Sequence, residues 1–346
     1  CIRDRGYQVG GVILFGRNVE SAEQLAALTN GLKELNGDYT PLFLCVDQEG
    51  GRVDRMPPEV SRTPSAWSVG QTLDTEGVGV SYGELLAAEC AAFGFNMDFA
   101  PSLDIWSNPD NTVIGDRAFG NDWEWTAFFG MSAVEGMEKQ GTVIPVVKHF
   151  PGHGDTAVDS HTALPVVDKT LEDLWQSELV PFDMVLSGQF WGEPVMEPTP
   201  AVMVAHILLS QIDPDNPASL SPEVVTGLLR EEMGYEGVVC TDDLTMGAIS
   251  NTYGMGEAAV LAVEAGCDLL LVCHGADNLA EAHAALVEAV DSGCIPEERL
   301  DESVYRVLSL KTVYGLSNAP VEAPDIEALN DRIAALERSI EADTSQ

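Results

Sequence analysis

The stretch "TVIPVVKHFPGHG", Thr142–Gly154, changes character halfway. Up to Val147 it is apolar and largely β-branched; then Lys148 and His149 appear, and a Pro–Gly–His–Gly loop follows. A continuous apolar run marks a strand covered on both faces, as in a parallel sheet, where an alternating run would mark a half-exposed one. Six further runs share this character: "VGGVILFG" (9–16), "PLFLCVD" (41–47), "FNMDFAPSLDI" (95–105), "AVMVAHI" (201–207), "GVVCTDDL" (237–244) and "CDLLLVC" (267–273). Helical patterns lie between them. In "SAEQLAALTNGLKELN" (21–36), Leu25, Leu28, Leu32 and Leu35 form one stripe, and Ser21 is placed to cap it. Helices are also expected over 80–95, 124–141, 170–186, 221–234, 256–266 and 278–293, and several end in glycine. Alternating β and α units in one chain predict an α/β fold, either a closed barrel or a doubly wound sheet. No Gly-x-Gly-x-x-Gly follows the first strand, so dinucleotide binding lacks support. The preferred expectation is a TIM-type (β/α)8 barrel over residues 1–316, lacking its first strand at a truncated N-terminus.

Beyond the barrel, Pro320 and Pro324 space off an acidic linker, and Ile326, Leu329, Ile333, Leu336 and Ile340 repeat at steps of three and four. Residues 317–346 are therefore expected to end in an amphipathic helix that packs back on the barrel. "LSGQFWGEPVMEPTP" (186–200) reads as a proline-bearing surface loop.

Polar groups gather where the apolar strands end. Asp47 closes one, Lys148 and His149 another, His206 a third, and Asp242 with Asp243 a fourth. In a barrel that end is the catalytic face. The loop after Lys148 adds Asp159 and His161, two residues apart on a glycine-bearing backbone. A carboxylate beside an imidazole orients its tautomer and suits it to general acid–base work. Asp242, at a strand end, suits a nucleophile or an electrostatic partner. Another reading stays open at this point: His149, His153, Asp155, Asp159 and His161 offer the ligand types of a metal site. Asp47 and Glu49 also read as solvated loop charges, and His206 as a satisfied core histidine.

Composition narrows the partners. Fifty-six acidic residues against 17 basic ones leave a formal charge of −39, a field that repels nucleic acid and anionic membrane surfaces. No apolar run approaches the roughly 20 residues that span a bilayer. Among the seven cysteines no CxxC spacing occurs, and Cys45, Cys240, Cys267 and Cys273 sit in apolar runs as small core residues. That usage favours a reducing, cytoplasmic compartment, with a lipid-anchored Cys1 as the alternative.

The segment "KHFPGHGDTAVDSH" (148–161) resembles the signature of the β-N-acetylglucosaminidases of glycoside hydrolase family 3: Lys-His-Phe-Pro-Gly-His-Gly, four residues, then Asp-x-His. "GGVILFGRN", "VDQEGGRVDR", "VIGDRAFG" and "GVVCTDDLTMGA" agree in order, so that the resemblance spans about residues 9 to 315. It implies a TIM-type barrel, Asp242 as nucleophile, His161 as acid–base and Asp159 as its dyad partner. It further implies sugar binding by Asp47, Arg55, Arg117, Lys148 and His149. The activity so implied is that of a retaining exo-β-N-acetylglucosaminidase, acting on terminal GlcNAc of peptidoglycan fragments or short chitooligosaccharides. No cofactor or metal is expected, and the chain is expected to be a monomer with a GlcNAc-containing glycan as its partner. A phosphorylase using the same residues, or a catalytically silent sugar-binding protein, are the alternatives.

Overall fold

Each apolar run expected to be a strand is one, with ordered pairing over a shorter span. In chain order the strands are β1 (Gly11–Ile13), β2 (Phe43–Val46), β3 (Met97–Asp98), β4 (Ile144–Phe150), β5 (Val166–Val167), β6 (Gln189–Phe190), β7 (Glu193–Pro194), β8 (Ala201–Val204), β9 (Leu208–Leu209), β10 (Val238–Asp243) and β11 (Leu269–Leu271). The helices are α1 (Ala22–Asn36), α2 (Ala66–Gly70), α3 (Val78–Ala92), α4 (Trp123–Gln140), α5 (Leu171–Leu174), α6 (Leu179–Ser187), α7 (Gly247–Ser250), α8 (Met255–Ala265), α9 (Ala276–Asp291), α10 (Glu297–Val313) and α11 (Ile326–Thr344). A wide π-type helix covers Glu223–Glu232. This computed structural model describes residues 9–74, 77–156, 160 and 163–345. It divides into two units: Cys1–Ser102 with Asp116–Val147 and Lys311–Gln346, and Leu103–Gly115 with Lys148–Leu310.

In the first unit β1, β2, β3 and the start of β4 run parallel in that order, with Gly11 opposite Phe43, Cys45 opposite Met97 and Met97 opposite Ile144. The strands supply Leu44 and Val46 to a core shared with Leu25, Leu85, Phe93, Phe119 and Phe129 from the helices and loops. Small residues let α3 and α4 cross closely. A Cβ on Gly83 would stand 1.9 Å from the Ala133 carbonyl oxygen, and one on Gly136 2.1 Å from that of Val80. The C-terminal stripe packs as its spacing predicts. Helix α11, capped by the Asp325 carboxylate accepting from the Ala328 N–H at 3.0 Å, buries Leu329, Ile333 and Leu336 and packs on α3. Lys311 fixes the entry to β1 and β2, donating to the carbonyls of Gly10 at 2.8 Å and Pro41 at 2.6 Å while lying over the Phe43 ring. Burial lowers its pKa to about 8.

In the second unit the end of β4 is joined to the chain just past β8 by the Ala205 N–H donating to the Phe150 carbonyl at 2.8 Å. Val238 of β10 lies opposite Ala201 of β8, and Cys240 opposite Leu269 of β11. Between Cys240 and Asp243 the register with β11 shifts, at the end of β10 that carries the two aspartates. The Asp268 carboxylate, inaccessible to solvent, gathers Arg230 at 2.6 Å, Arg306 at 3.2 Å and the Ser303 hydroxyl at 2.6 Å. These bonds tie the start of β11 to the π-type helix and α10.

Three local expectations need correction. The segment expected as a proline-bearing loop holds an antiparallel hairpin, β6–β7, turned by Trp191 and Gly192, both at positive φ. The helix expected over 170–186 is two helices, broken at 175–178, with Pro181 in the first turn of α6, where a missing N–H is harmless. Helix α10 was not among the expected ones. Among the described residues no helix is long and apolar enough to cross a membrane. Cys45, Cys240 and Cys267 are buried as expected, while Cys273 is half-buried.

Candidate active site

In the second unit β4 delivers Lys148 and His149 in its last turn of chain, both nearly inaccessible. The peptide joining them is cis. Asp104, completely buried, stands behind them. The Nδ1 of His149 lies 2.6 Å from its Oδ2, and the His153 N–H donates to Oδ1 at 2.6 Å. A carboxylate accepts only, so Nδ1 of His149 carries the proton. Burial alone would raise the Asp104 pKa, but His149 and His153 outweigh it and hold the carboxyl well below the usual range.

Just beyond Phe150, through Gly152 and Gly154, the chain is tightly packed. A Cβ on Gly154 would sit 1.7 Å from the Ile105 carbonyl oxygen, and Gly152 adopts φ +126° against Glu178. Asn111 donates to the carbonyls of His153 at 2.8 Å and Gly154 at 3.1 Å. The His153 ring lies between Thr156 Oγ1 at 2.8 Å and Ser160 Oγ at 3.2 Å, and Lys169 reaches Asp155 at 3.0 Å. Three of the five residues of the metal reading, His149, His153 and Asp155, therefore hold other partners. Asp159 and His161 lie outside the described residues.

At the end of β10 two neighbouring aspartates have different surroundings. Asp243 is committed to its own turn: Oδ1 accepts from the N–H groups of Thr245 at 2.9 Å and Cys273 at 3.0 Å, and Oδ2 from the Thr245 hydroxyl at 2.6 Å. Asp242 stays partly open, and the one hydrogen bond to its carboxylate among the described residues comes from the Asp243 N–H at 2.7 Å. Burial pushes the Asp242 carboxyl up, but the fields of His206, His149 and Lys148, with that N–H, hold it below the ordinary carboxylate range. It is an anion at neutral pH. His206, fully buried, has its Nε2 3.0 Å from the Asp243 carbonyl, so Nε2–H donates and Nδ1 accepts from the Ser219 hydroxyl at 2.7 Å. Burial lowers its pKa, against the charges of Asp242 and Asp243, which raise it. It is thus a satisfied core histidine that also backs the Asp242 segment.

In the first unit β2 ends at Val46, the half-buried Asp47 follows, and the chain turns through Gly50 and Gly51, both at positive φ. The Glu49 N–H donates to the Val53 carbonyl at 2.9 Å, closing that turn. Arg117, carried by the "GDRAFG" segment, donates through Nε and Nη2 to the two oxygens of Glu49, both at 2.8 Å. Such a fork fixes the guanidinium plane. Arg55 is half-buried, its N–H donating to the Gln48 side-chain oxygen at 2.8 Å. Glu49 is therefore not a solvated loop charge. Neither it nor Asp104 stood out in the sequence as a partner, because each meets its basic residue only through the fold.

The sequence of residues 5–310 matches the glycosyl hydrolase family 3 N-terminal domain. Beta-hexosaminidase A of Pseudoalteromonas piscicida is 34% identical over 90% of this chain, which spans 55% of that protein. The beta-hexosaminidase of Methylococcus capsulatus is 37% identical over 82% of this chain and 80% of its own length. A solved family 3 beta-N-acetylglucosaminidase from Paenibacillus sp. FPU-7 superimposes with a TM-score of 0.87 at 42% identity, covering 95% of this chain and 62% of that one. On these grounds the chain belongs to glycosyl hydrolase family 3, as a member of its N-terminal domain family.

Proposed function

We propose that this chain is the catalytic domain of a retaining exo-β-N-acetylglucosaminidase that cleaves terminal non-reducing GlcNAc from peptidoglycan fragments or short chitooligosaccharides. The observation that carries the reading is the contrast at the end of β10. Asp242 is ionised, partly open and backed by basic groups, whereas Asp243 is used up in its turn. In the first step an Asp242 oxygen attacks the anomeric carbon, and the aglycone oxygen leaves with a proton from His161. In the second, His161 takes a proton from water, whose oxygen displaces Asp242 and regenerates the carboxylate. Asp159 would orient His161, and Asp47, Arg55, Arg117, Lys148 and His149 would hold the sugar hydroxyls and the acetamido group. The parallel strands with their covering helices support a TIM-type barrel as the frame.

The test is hydrolysis of an aryl β-GlcNAc and of chitobiose, with and without phosphate. Release of GlcNAc in both conditions supports the proposal. GlcNAc-1-phosphate formed at the expense of GlcNAc would make the chain a phosphorylase. No turnover of either substrate would remove the enzymatic reading.

A further inference from the structure

One buried carboxyl has no part in the reaction just described. Glu89, on α3, is completely inaccessible and lies under the loop that follows β2. Its Oε2 accepts from the Gln48 side-chain amide at 2.8 Å, and its Oε1 lies 2.6 Å from the Thr63 hydroxyl. Gln48, equally buried, is the hub of that loop. Its own N–H donates to Asp98 at 2.8 Å, at the end of β3, and its side-chain oxygen accepts the Arg55 N–H at 2.8 Å. The amide thus spans from Glu89 on one side to the Arg55 backbone on the other. Asp47 precedes Gln48 directly, so one side chain sets the positions of two residues assigned to sugar binding.

We propose that Glu89 is a positioning residue: in its protonated form it orients the Gln48 amide and, through it, the Asp47–Arg55 loop that receives the sugar. The proposal rests on the functional reading above only for its consequence on substrate. The Gln48 amide and the Thr63 hydroxyl both donate to the Glu89 carboxyl and by themselves favour the anion, but two neutral donors do not offset the cost of a carboxylate sealed from water. The charged groups nearest it are Asp54 on the loop, which opposes a second anion, and Arg332 on α11, which favours one weakly. Burial dominates and raises the Glu89 pKa to about 8. Below that value the loop is held; above it, an anion arises beside Asp54 and the Asp98 end of β3, and the seat loosens.

The experiment compares wild type, Glu89→Gln and Glu89→Leu from pH 6 to 9.5. Glutamine reproduces the neutral acid: its oxygen accepts from Gln48 and its amide donates to Thr63. For an aryl β-GlcNAc substrate, KM of the wild type should be about tenfold higher at pH 9 than at pH 7, as expected when only the protonated form binds. The kcat profile should be common to wild type and Glu89→Gln, while Glu89→Gln shows no such rise in KM. Glu89→Leu should show a raised KM already at pH 7. Amide hydrogen exchange at Arg55 gives a readout independent of turnover. Its protection should fall in Glu89→Leu, and in wild type relative to Glu89→Gln above pH 8. That result would uphold the positioning role even if the substrate assignment failed. Wild type and Glu89→Gln with superimposable KM profiles and equal Arg55 protection across the range would overturn it.

Discussion

Asp104→Asn isolates a single charge. Asparagine has the size of aspartate, and its one oxygen still accepts from the His153 N–H, while its amide meets Nδ1 of His149, a bond kept when that ring moves its proton to Nε2. What disappears is the negative charge beneath two short bonds, both 2.6 Å, in a site with no solvent access. A hydrogen bond to a charged group contributes about 1.5–3 kcal/mol, and a neutral one about 0.5–1.5, so two such bonds predict a loss of about 2–3 kcal/mol at pH 7. The pH dependence follows from the direction of the Asp104 shift. Its carboxyl is held below the usual range in the folded protein. Its stabilisation is therefore fully present above the unfolded value near ~3.9 and fades as pH falls from there toward the folded value. Urea unfolding followed by tryptophan fluorescence should show the gap between wild type and Asp104→Asn shrinking by about 1 kcal/mol between pH 5 and pH 3. The variant should also lose kcat/KM, because His149 backs Asp242. A gap below ~0.5 kcal/mol at pH 7, or one that does not change with pH, would refute the argument that Asp104 acts as a buried anion.

Other substitutions separate chemistry from scaffold. Asp242→Asn should abolish turnover and leave the protein folded, whereas Asp243→Ala, which removes three acceptor contacts, should act through stability and lower it by about 1–3 kcal/mol; the opposite pattern in paired activity and urea measurements would exchange their roles. Gly154→Ala should disrupt the loop, since a Cβ cannot sit 1.7 Å from the Ile105 oxygen, and proteolysis within 152–165 should accelerate; an equally resistant variant would mean the loop packs otherwise. Replacing Ile333, 1% exposed on the buried face of α11, by alanine should cost about 2–5 kcal/mol of stability in a melting experiment, and a neutral effect would show that the C-terminal helix is not part of the first unit's core.

Much of this was legible in the chain because buried parallel strands are long apolar words. "TVIPVVKHF" and "GVVCTDDL" announce both their burial and the polar residues at their ends, and the α11 stripe declares its face by spacing alone. What stayed hidden depends on contacts distant in sequence. Asp104 reads as one more acid in "SLDIW", and only the fold sets it under His149. Glu49 and Arg117 are 68 positions apart and meet as a fork. Glu89 sits in an apolar helix where nothing local distinguishes a protonated, buried carboxyl from a solvated one. Helix α10 escaped notice because its charged residues dilute the apolar period, and the β6–β7 hairpin because prolines and glycines around Trp191 imitate a loop. The glycines of "PGHG" do not tell their reason in the sequence: Gly154 is there because a neighbouring carbonyl leaves no room for a side chain.

In the proposed reaction Asp242 forms a glycosyl ester which His161 helps to make and break. His161→Ala, mixed with a nitrophenyl β-GlcNAc whose leaving group departs unprotonated, should release a burst of nitrophenol and then stall, because no base remains to activate water. Intact-mass spectrometry of the stalled protein, followed by peptide mapping, should find one N-acetylhexosaminyl group on Asp242, and azide should discharge it as the glycosyl azide. A label on Asp243 or elsewhere, or a variant that slows equally with nitrophenyl and sugar aglycones and never accumulates an adduct, would contradict the account.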